Sequence, residues 1–136
     1  KMNEIQCEDY PAIGMRFHTI WPGRDDMLFM KFKNNQVKYI NRKHNRDFVH
    51  VEDIINAIYL LMSNFKSAIM EQRVYDIGTG HSTPVEQVAK SFGFDGEWRN
   101  ENPSGERVHT IANIEPLLKL GWTPKWNILN HENSPS

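Results

Sequence analysis

The chain has 136 residues, 39% of them hydrophobic and 24% charged, with a formal net charge of −1. That is enough apolar side chain for one domain with its own core, and too even a charge for a surface built on nucleic acid or anionic lipid. Cys7 is the single cysteine, which excludes a disulfide framework and a thiolate metal site.

In chain order, residues 2–10 spread Met2, Ile5 and Tyr10 among acids and amides and predict the tail of a helix, broken by Pro11 and Gly14. "MRFHTIW" (15–21) alternates and predicts a strand that ends at the turn "PGRDD". Residues 27–35 predict a short helix and residues 36–40 a strand.

"RDFVHVEDIINAIYLL" (46–61) then sets an Arg-Asp pair ahead of a short alternating run and a helix from Val51. Ile54, Ile55, Ile58, Leu61 and Met62 share one helical face, and Glu52 and Asp53 occupy the first turn, where the helix dipole favours negative charge. "RVYDIGTG" (73–80) reads as a buried strand running into two glycines.

The next helix carries full punctuation: Thr83 as N-cap, Pro84 as first helical residue, Glu86 as capping-box partner and Gly93 as stop. A strand in "GEWRN" (96–100), an extended run in "VHTIAN" (108–113) and a helix capped by Asn113 complete the pattern, with a tail over 131–136. Alternating strands and helices without repeat or linker predict one α/β or α+β domain. The chain starts at Lys1 inside a helix-like run, so it is expected to be a piece of a longer protein.

Several chemistries fail on spacing. The six histidines are scattered with no HxxxH pair, and His18 and His50 are expected to be packed or hydrogen-bonded. No GxSxG nucleophile elbow is present. "GTGHST" lacks the endings of a P-loop or dinucleotide fingerprint, so a tight strand-to-helix turn is favoured over a phosphate cradle. The basic stretch "NRKHNR" (41–46) reads either as a solvated loop or, at Arg46, as a ligand for an anion. No apolar run has the length of a membrane span and no signal peptide is visible, so the cytoplasm is the expected compartment, with neither nucleic acid nor membrane as partner.

Four segments in order carry a resemblance: "GMRFHTIWPGRDDMLFMKF", "VKYINRKHNRDFVHVEDIINAI", "VYDIGTGHSTPVEQVA" and "GERVHTIANIEPLLKLGWTPK". Together they resemble the C-terminal half of the extended short-chain dehydrogenase/reductases, the NAD-dependent nucleotide-sugar epimerases and dehydratases. "RFHTIWPGRDDM" and "KYINRKHNRDF" look most like the matching stretches of UDP-glucuronate 4-epimerases, the first with a shorter loop. The resemblance implies an α/β fold: the C-terminal substrate-binding part of an extended Rossmann-type enzyme, with only the last strands of the parallel sheet. It gives residues 1–130 that role and 131–136 that of a flexible tail. The catalytic tyrosine and lysine and the cofactor loop would lie in an N-terminal half ahead of Lys1.

By the same resemblance no catalytic residue is expected in this chain, and NAD would be held by the N-terminal half rather than here. The expected ligand is a nucleotide sugar, a UDP-sugar foremost, and the expected partner a second copy or the missing half. Arg46 matches the arginine that lies on the diphosphate, which suits its forked, permanent charge. Asp47 beside it reads as structural. Thr19 and Arg24 match positions facing the sugar, Glu106 the acid near the ribose, and Arg107 a second phosphate-contacting arginine. Val37 and Tyr39 match the lining of the base pocket, or equally a core-facing strand edge. A non-catalytic nucleotide-sugar-binding module and part of a dehydratase remain the alternatives.

Overall fold

A computed structural model describes residues 12–101 and 111–133. The helix expected over 2–10, Cys7, and the first half of the "VHTIAN" run (108–110) lie outside them. Among the described residues the order is β1 (Gly14–Phe17), β2 (Thr19–Trp21), α1 (Leu28–Lys33), β3 (Tyr39–Asn41), β4 (Asn45–Arg46) and β5 (Phe48–His50). It continues with α2 (Val51–Ser63), α3 (Phe65–Glu71), β6 (Val74–Ile77), β7 (Thr83–Pro84), α4 (Val85–Ser91), β8 (Glu97–Arg99), α5 (Glu115–Lys119) and a 3₁₀ turn at Ile128–Asn130.

The strands form four short pairs. β1 runs parallel to β6, β2 to β5 and β3 to β8, while β4 and β7 are antiparallel. Three parallel pairs, each joined through helices, bear out the α/β expectation.

The expected strand over 15–21 divides at His18 because the chain changes partner there. His18 N–H donates to the Ile77 carbonyl at 3.1 Å, the last bond to β6. Thr19 N–H donates to the Asp47 carbonyl at 3.0 Å, the first bond of the β2–β5 pair. One continuous pleat becomes two pairs, the first contributing to one of two cores and the second to both.

Those two cores are separate. One gathers Trp21, Phe29, Phe32, Ile40, Phe48, Val85, Val88, Ala89 and Ile128; the other gathers Val49, Ile54, Ala57, Leu61, Ala68, Tyr75, Ile77, Leu117 and Trp122. The β2–β5 pair lies between them. Ile20 sits opposite Val49 and both join the second core, whereas Trp21 and Phe48 belong to the first. Alternation along a strand puts neighbours on opposite faces, so three residues of β5 are buried in succession.

Two expected helix caps come out differently. Thr83 does not cap α4: it pairs with Arg46 in β7, and α4 starts at Val85 with Pro84 as N-cap and no side-chain cap bond. Glu86 instead bonds Lys90 at 2.8 Å and pairs with Arg42 at 3.4 Å. Asn113 does serve the start of α5, its Oδ1 accepting from Glu115 N–H at 3.3 Å. Gly93 ends α4 with φ +71°, where a Cβ would be strained. His131, assigned to the tail by composition, stacks on Phe92 with ring centroids 4.1 Å apart. No helix among the described residues is long and apolar enough to cross a membrane.

Helix α2 is fixed at its N-terminus by side chains as well as by its apolar stripe. His50 is the N-cap, its Nδ1 accepting from Glu52 N–H at 3.0 Å. Asp53, 1% exposed, takes the N–H groups of Lys125 and Trp126 on its carboxylate and so ties the C-terminal segment to the helix start. Trp122 Nε1–H donates to the Asp53 carbonyl, and Tyr75 Oη–H to the Ala68 carbonyl at 2.7 Å, which holds α3 to β6.

The His50 ring lies 3.7 Å from the Trp126 ring in a parallel stack and meets Trp21 edge-on at 4.5 Å. Burial depresses its pKa below the ordinary 6.5, against the opposing pull of the Glu52 and Asp53 carboxylates. A ring that must stay neutral to accept a helix N–H binds protons more weakly folded than unfolded. Its stability contribution is therefore complete above about pH 6.5 and is lost as pH falls through the lower folded value. Thermal unfolding midpoints of the wild type should drop between about pH 7 and pH 5, and His50→Asn, a cap that does not titrate, should flatten part of that slope. Identical slopes in both proteins would rule His50 out as the source.

Candidate functional site

The segment from His44 to Phe48 is secured at almost every residue. The His44 carbonyl accepts Val85 N–H at 3.0 Å, Asn45 and Arg46 pair with Pro84 and Thr83, and the Asp47 carbonyl accepts Thr19 N–H. The side chain of Asp47 adds the strongest fixation. It is fully buried, and its carboxylate receives Thr79 N–H and Thr79 Oγ1–H on Oδ1, both at 2.7 Å. Oδ2 receives Gly80 N–H at 2.9 Å and Ala112 N–H at 3.0 Å.

This geometry resolves the glycine-rich turn. "GTG" (78–80) does cradle an anion with its backbone, but the anion is the chain's own Asp47. A Cβ on Gly78 would lie 2.7 Å from Asp47 Oδ2 and 2.6 Å from the Ala112 Cβ, so only glycine admits this approach. The tight turn favoured from sequence is present but leads from β6 into β7 before the helix, and its glycine has a specific steric cause.

Arg46, next to this anchor, is half-buried. Its Nη1 donates to the Asn45 carbonyl at 2.9 Å and its Nη2 lies 2.8 Å from His44 Nδ1. Thr19 shares the edge where β4 runs into β5, through its bond to Asp47. The other expected site residues are held differently. Arg24 is exposed in the turn after β2 and pairs with Asp26 at 3.3 Å, a surface pair of little energetic consequence. Val37 is half-buried and packs against the first core. Tyr39 faces outward from β3, 49% exposed, with the Arg99 guanidinium 3.7 Å from its ring centroid. Glu106 and Arg107 lie outside the described residues.

The basic loop is less solvated than its composition suggests. Arg42 lies over the Trp98 ring at 4.7 Å while pairing with Glu86. Lys43 N–H donates to Asn41 Oδ1 in a turn, and His44 contacts Arg46. Arg99 also pairs with Glu97 and Glu101. That engagement raises its pKa, first through the Glu97 hydrogen bond. Sequence offered one signal for the His44–Arg46 contact: residues two apart in extended chain share a face.

Between β5, the "GTG" turn and the C-terminal segment lies a cleft of about 250 Å³ lined by Phe48, Thr79, His81, Thr83, Lys125 and Trp126, among others. It is smaller than the roughly 300–1,000 Å³ usual for small-molecule pockets, and Arg46 is not in its lining.

No family model matches the chain. It is 24% identical to CDP-abequose synthase of Salmonella typhimurium, over 88% of this chain and 45% of that protein. It is 27% identical to dTDP-L-rhamnose 4-epimerase of Burkholderia thailandensis, over 61% of this chain and 24% of that one. The structure of MoeE5 with UDP-glucuronic acid and NAD superposes with a TM-score of 0.66 at 25% identity, covering 87% of this chain and 44% of that chain. Homologues and structural neighbours are thus nucleotide-sugar epimerases, dehydratases and synthases, several with NAD. The chain spans about half the length of the first curated relatives it matches, 48% and 45%. The fold is that of a Rossmann-type epimerase in part.

Asp47→Ala should therefore cost about 3–5 kcal/mol in unfolding free energy, since it strands several buried donors at once. Gly78→Ala should destabilise comparably by pushing the carboxylate out of the turn. Chemical denaturation of the two variants checks both, and a loss under 1 kcal/mol in Asp47→Ala would remove Asp47 as the anchor.

Proposed function

We propose that the chain is the C-terminal, substrate-binding portion of an NAD-dependent nucleotide-sugar epimerase, of the UDP-glucuronate or UDP-hexose 4-epimerase type. The observation that carries the reading is the mounting of Arg46: a permanent cation on a strand end, one residue from a buried, four-bonded carboxylate. A flexible surface arginine would lose much of its binding energy to ordering; this one is ordered before ligand arrives. Its fork suits the two phosphoryl oxygens of a nucleoside diphosphate.

Around it, Thr19 and Arg24 would face the sugar, Glu106 the ribose and Arg107 the diphosphate, with Val37 and Tyr39 along the base. Holding the diphosphate while the sugar turns is what a 4-epimerase requires, because hydride leaves one face and returns to the other. NAD supplies that chemistry when bound, and we assign its binding mainly to residues other than the described ones. Among the described residues the one glycine-rich turn after a strand has the N–H groups of Thr79 and Gly80 on Asp47, which leaves no cradle there for a pyrophosphate. The cofactor loop and the catalytic Tyr and Lys are assigned to an N-terminal half, and completion of the parallel sheet by that half or by a second copy would cover the open strand edges.

Arg46→Ala should weaken UDP binding by roughly 2–4 kcal/mol, as for loss of a charge-assisted phosphate clamp. Isothermal calorimetry with UDP measures it, and an unchanged affinity would overturn the assignment. Residues 1–136 should show no saturable NAD binding in the same instrument; saturation would contradict the division of labour.

A further inference from the structure

The contact between Arg46 and His44 selects the tautomer in which the histidine can accept. A guanidinium has only donors, so a nitrogen 2.8 Å from its Nη2 must offer a lone pair. His44 Nδ1 can do so only in the neutral ring with hydrogen on Nε2; the imidazolium and the other tautomer both place N–H against N–H. Meanwhile Nη1 donates to the Asn45 carbonyl at 2.9 Å. Two acceptors on the two separate terminal nitrogens set the plane of the guanidinium, which a single contact would leave free to swing.

The histidine is itself held. Its carbonyl takes Val85 N–H at the start of α4, at 3.0 Å, and its N–H donates to the Asn41 carbonyl at 3.3 Å. The imidazole is thus carried on a backbone tied to both α4 and β3. The neighbouring acid Asp47 spends its carboxylate on the "GTG" turn and Ala112.

We propose that His44 is a positioning residue for Arg46, its Nδ1 and the Asn45 carbonyl together presetting the guanidinium for the diphosphate of a nucleotide ligand. This rests on the reading of Arg46 as the diphosphate ligand. The probe is UDP, measured by calorimetry on wild type, Arg46→Ala, His44→Leu and His44→Asn, with melting temperatures alongside. His44→Asn keeps an acceptor oxygen near the place of Nδ1; His44→Leu removes it.

His44→Leu should weaken UDP binding about tenfold, the equivalent of one charge-assisted hydrogen bond, at an unchanged melting temperature. His44→Asn should recover affinity to within about twofold of wild type. If Arg46→Ala loses affinity while His44→Leu keeps it, the positioning role is overturned and the diphosphate reading stands. If Arg46→Ala keeps affinity, the diphosphate reading falls and this inference with it. Imidazole ¹⁵N spectra of the wild type give a readout that needs no variant to fold: Nδ1 should be the unprotonated nitrogen, and a protonated Nδ1 overturns the proposal.

Discussion

A buried carboxylate, Asp47, is the interaction on which the rest of this structure depends. Removing a charge from water costs several kcal/mol, and only a full set of donors makes that tolerable. Here three backbone N–H groups and a hydroxyl converge on it from Thr79, Gly80 and Ala112, segments 32, 33 and 65 residues away in sequence. Charge-assisted bonds of this kind contribute about 1.5–3 kcal/mol each, roughly twice a neutral one, so four together can offset the desolvation. The consequence is geometric: β5, the turn after β6 and the approach to α5 meet at one point, with Arg46 just outside it.

A second carboxylate repeats the device. Asp53 takes two backbone N–H groups from Lys125 and Trp126, and so brings the C-terminal segment under the start of α2. That contact stacks Trp126 on His50, and His50 caps the helix that continues from β5. The two acids, six residues apart, therefore define the two ends of the short stretch that divides the cores. Between them Phe48 and Val49 point to opposite sides. Neither acid is a surface charge, and neither is matched to its partners by proximity in sequence.

Much of this was legible beforehand. The α2 helix follows from its apolar spacing and its acidic first turn, the α4 stop from Gly93, and the structural role of Asp47 from its place beside an arginine that the resemblance assigns to a ligand. The errors have physical causes. Thr83 and Glu86 have the spacing of a capping box, yet the strand pairing of Thr83 with Arg46 outcompetes a cap bond of about 1 kcal/mol. The strand over 15–21 shows unbroken alternation, but alternation carries no information about which neighbour a strand pairs with. Arg42 looks like a loop residue because its partners, Trp98 and Glu86, lie far away in sequence and reach it only in the fold.

Sequence by itself determined the alternation of strands and helices, the amphipathic face of α2 and the permanent, forked charge at Arg46. These are local properties: periodicity, end signals and the chemistry of one side chain. Tertiary structure alone decided what the glycine-rich turn binds, which segments anchor Asp47, and that two cores lie on either side of β5. Those depend on groups tens of residues apart meeting within hydrogen-bond distance. The "GTG" turn makes the difference plain, since its residues are right for an anion and only the fold reveals that the anion is Asp47.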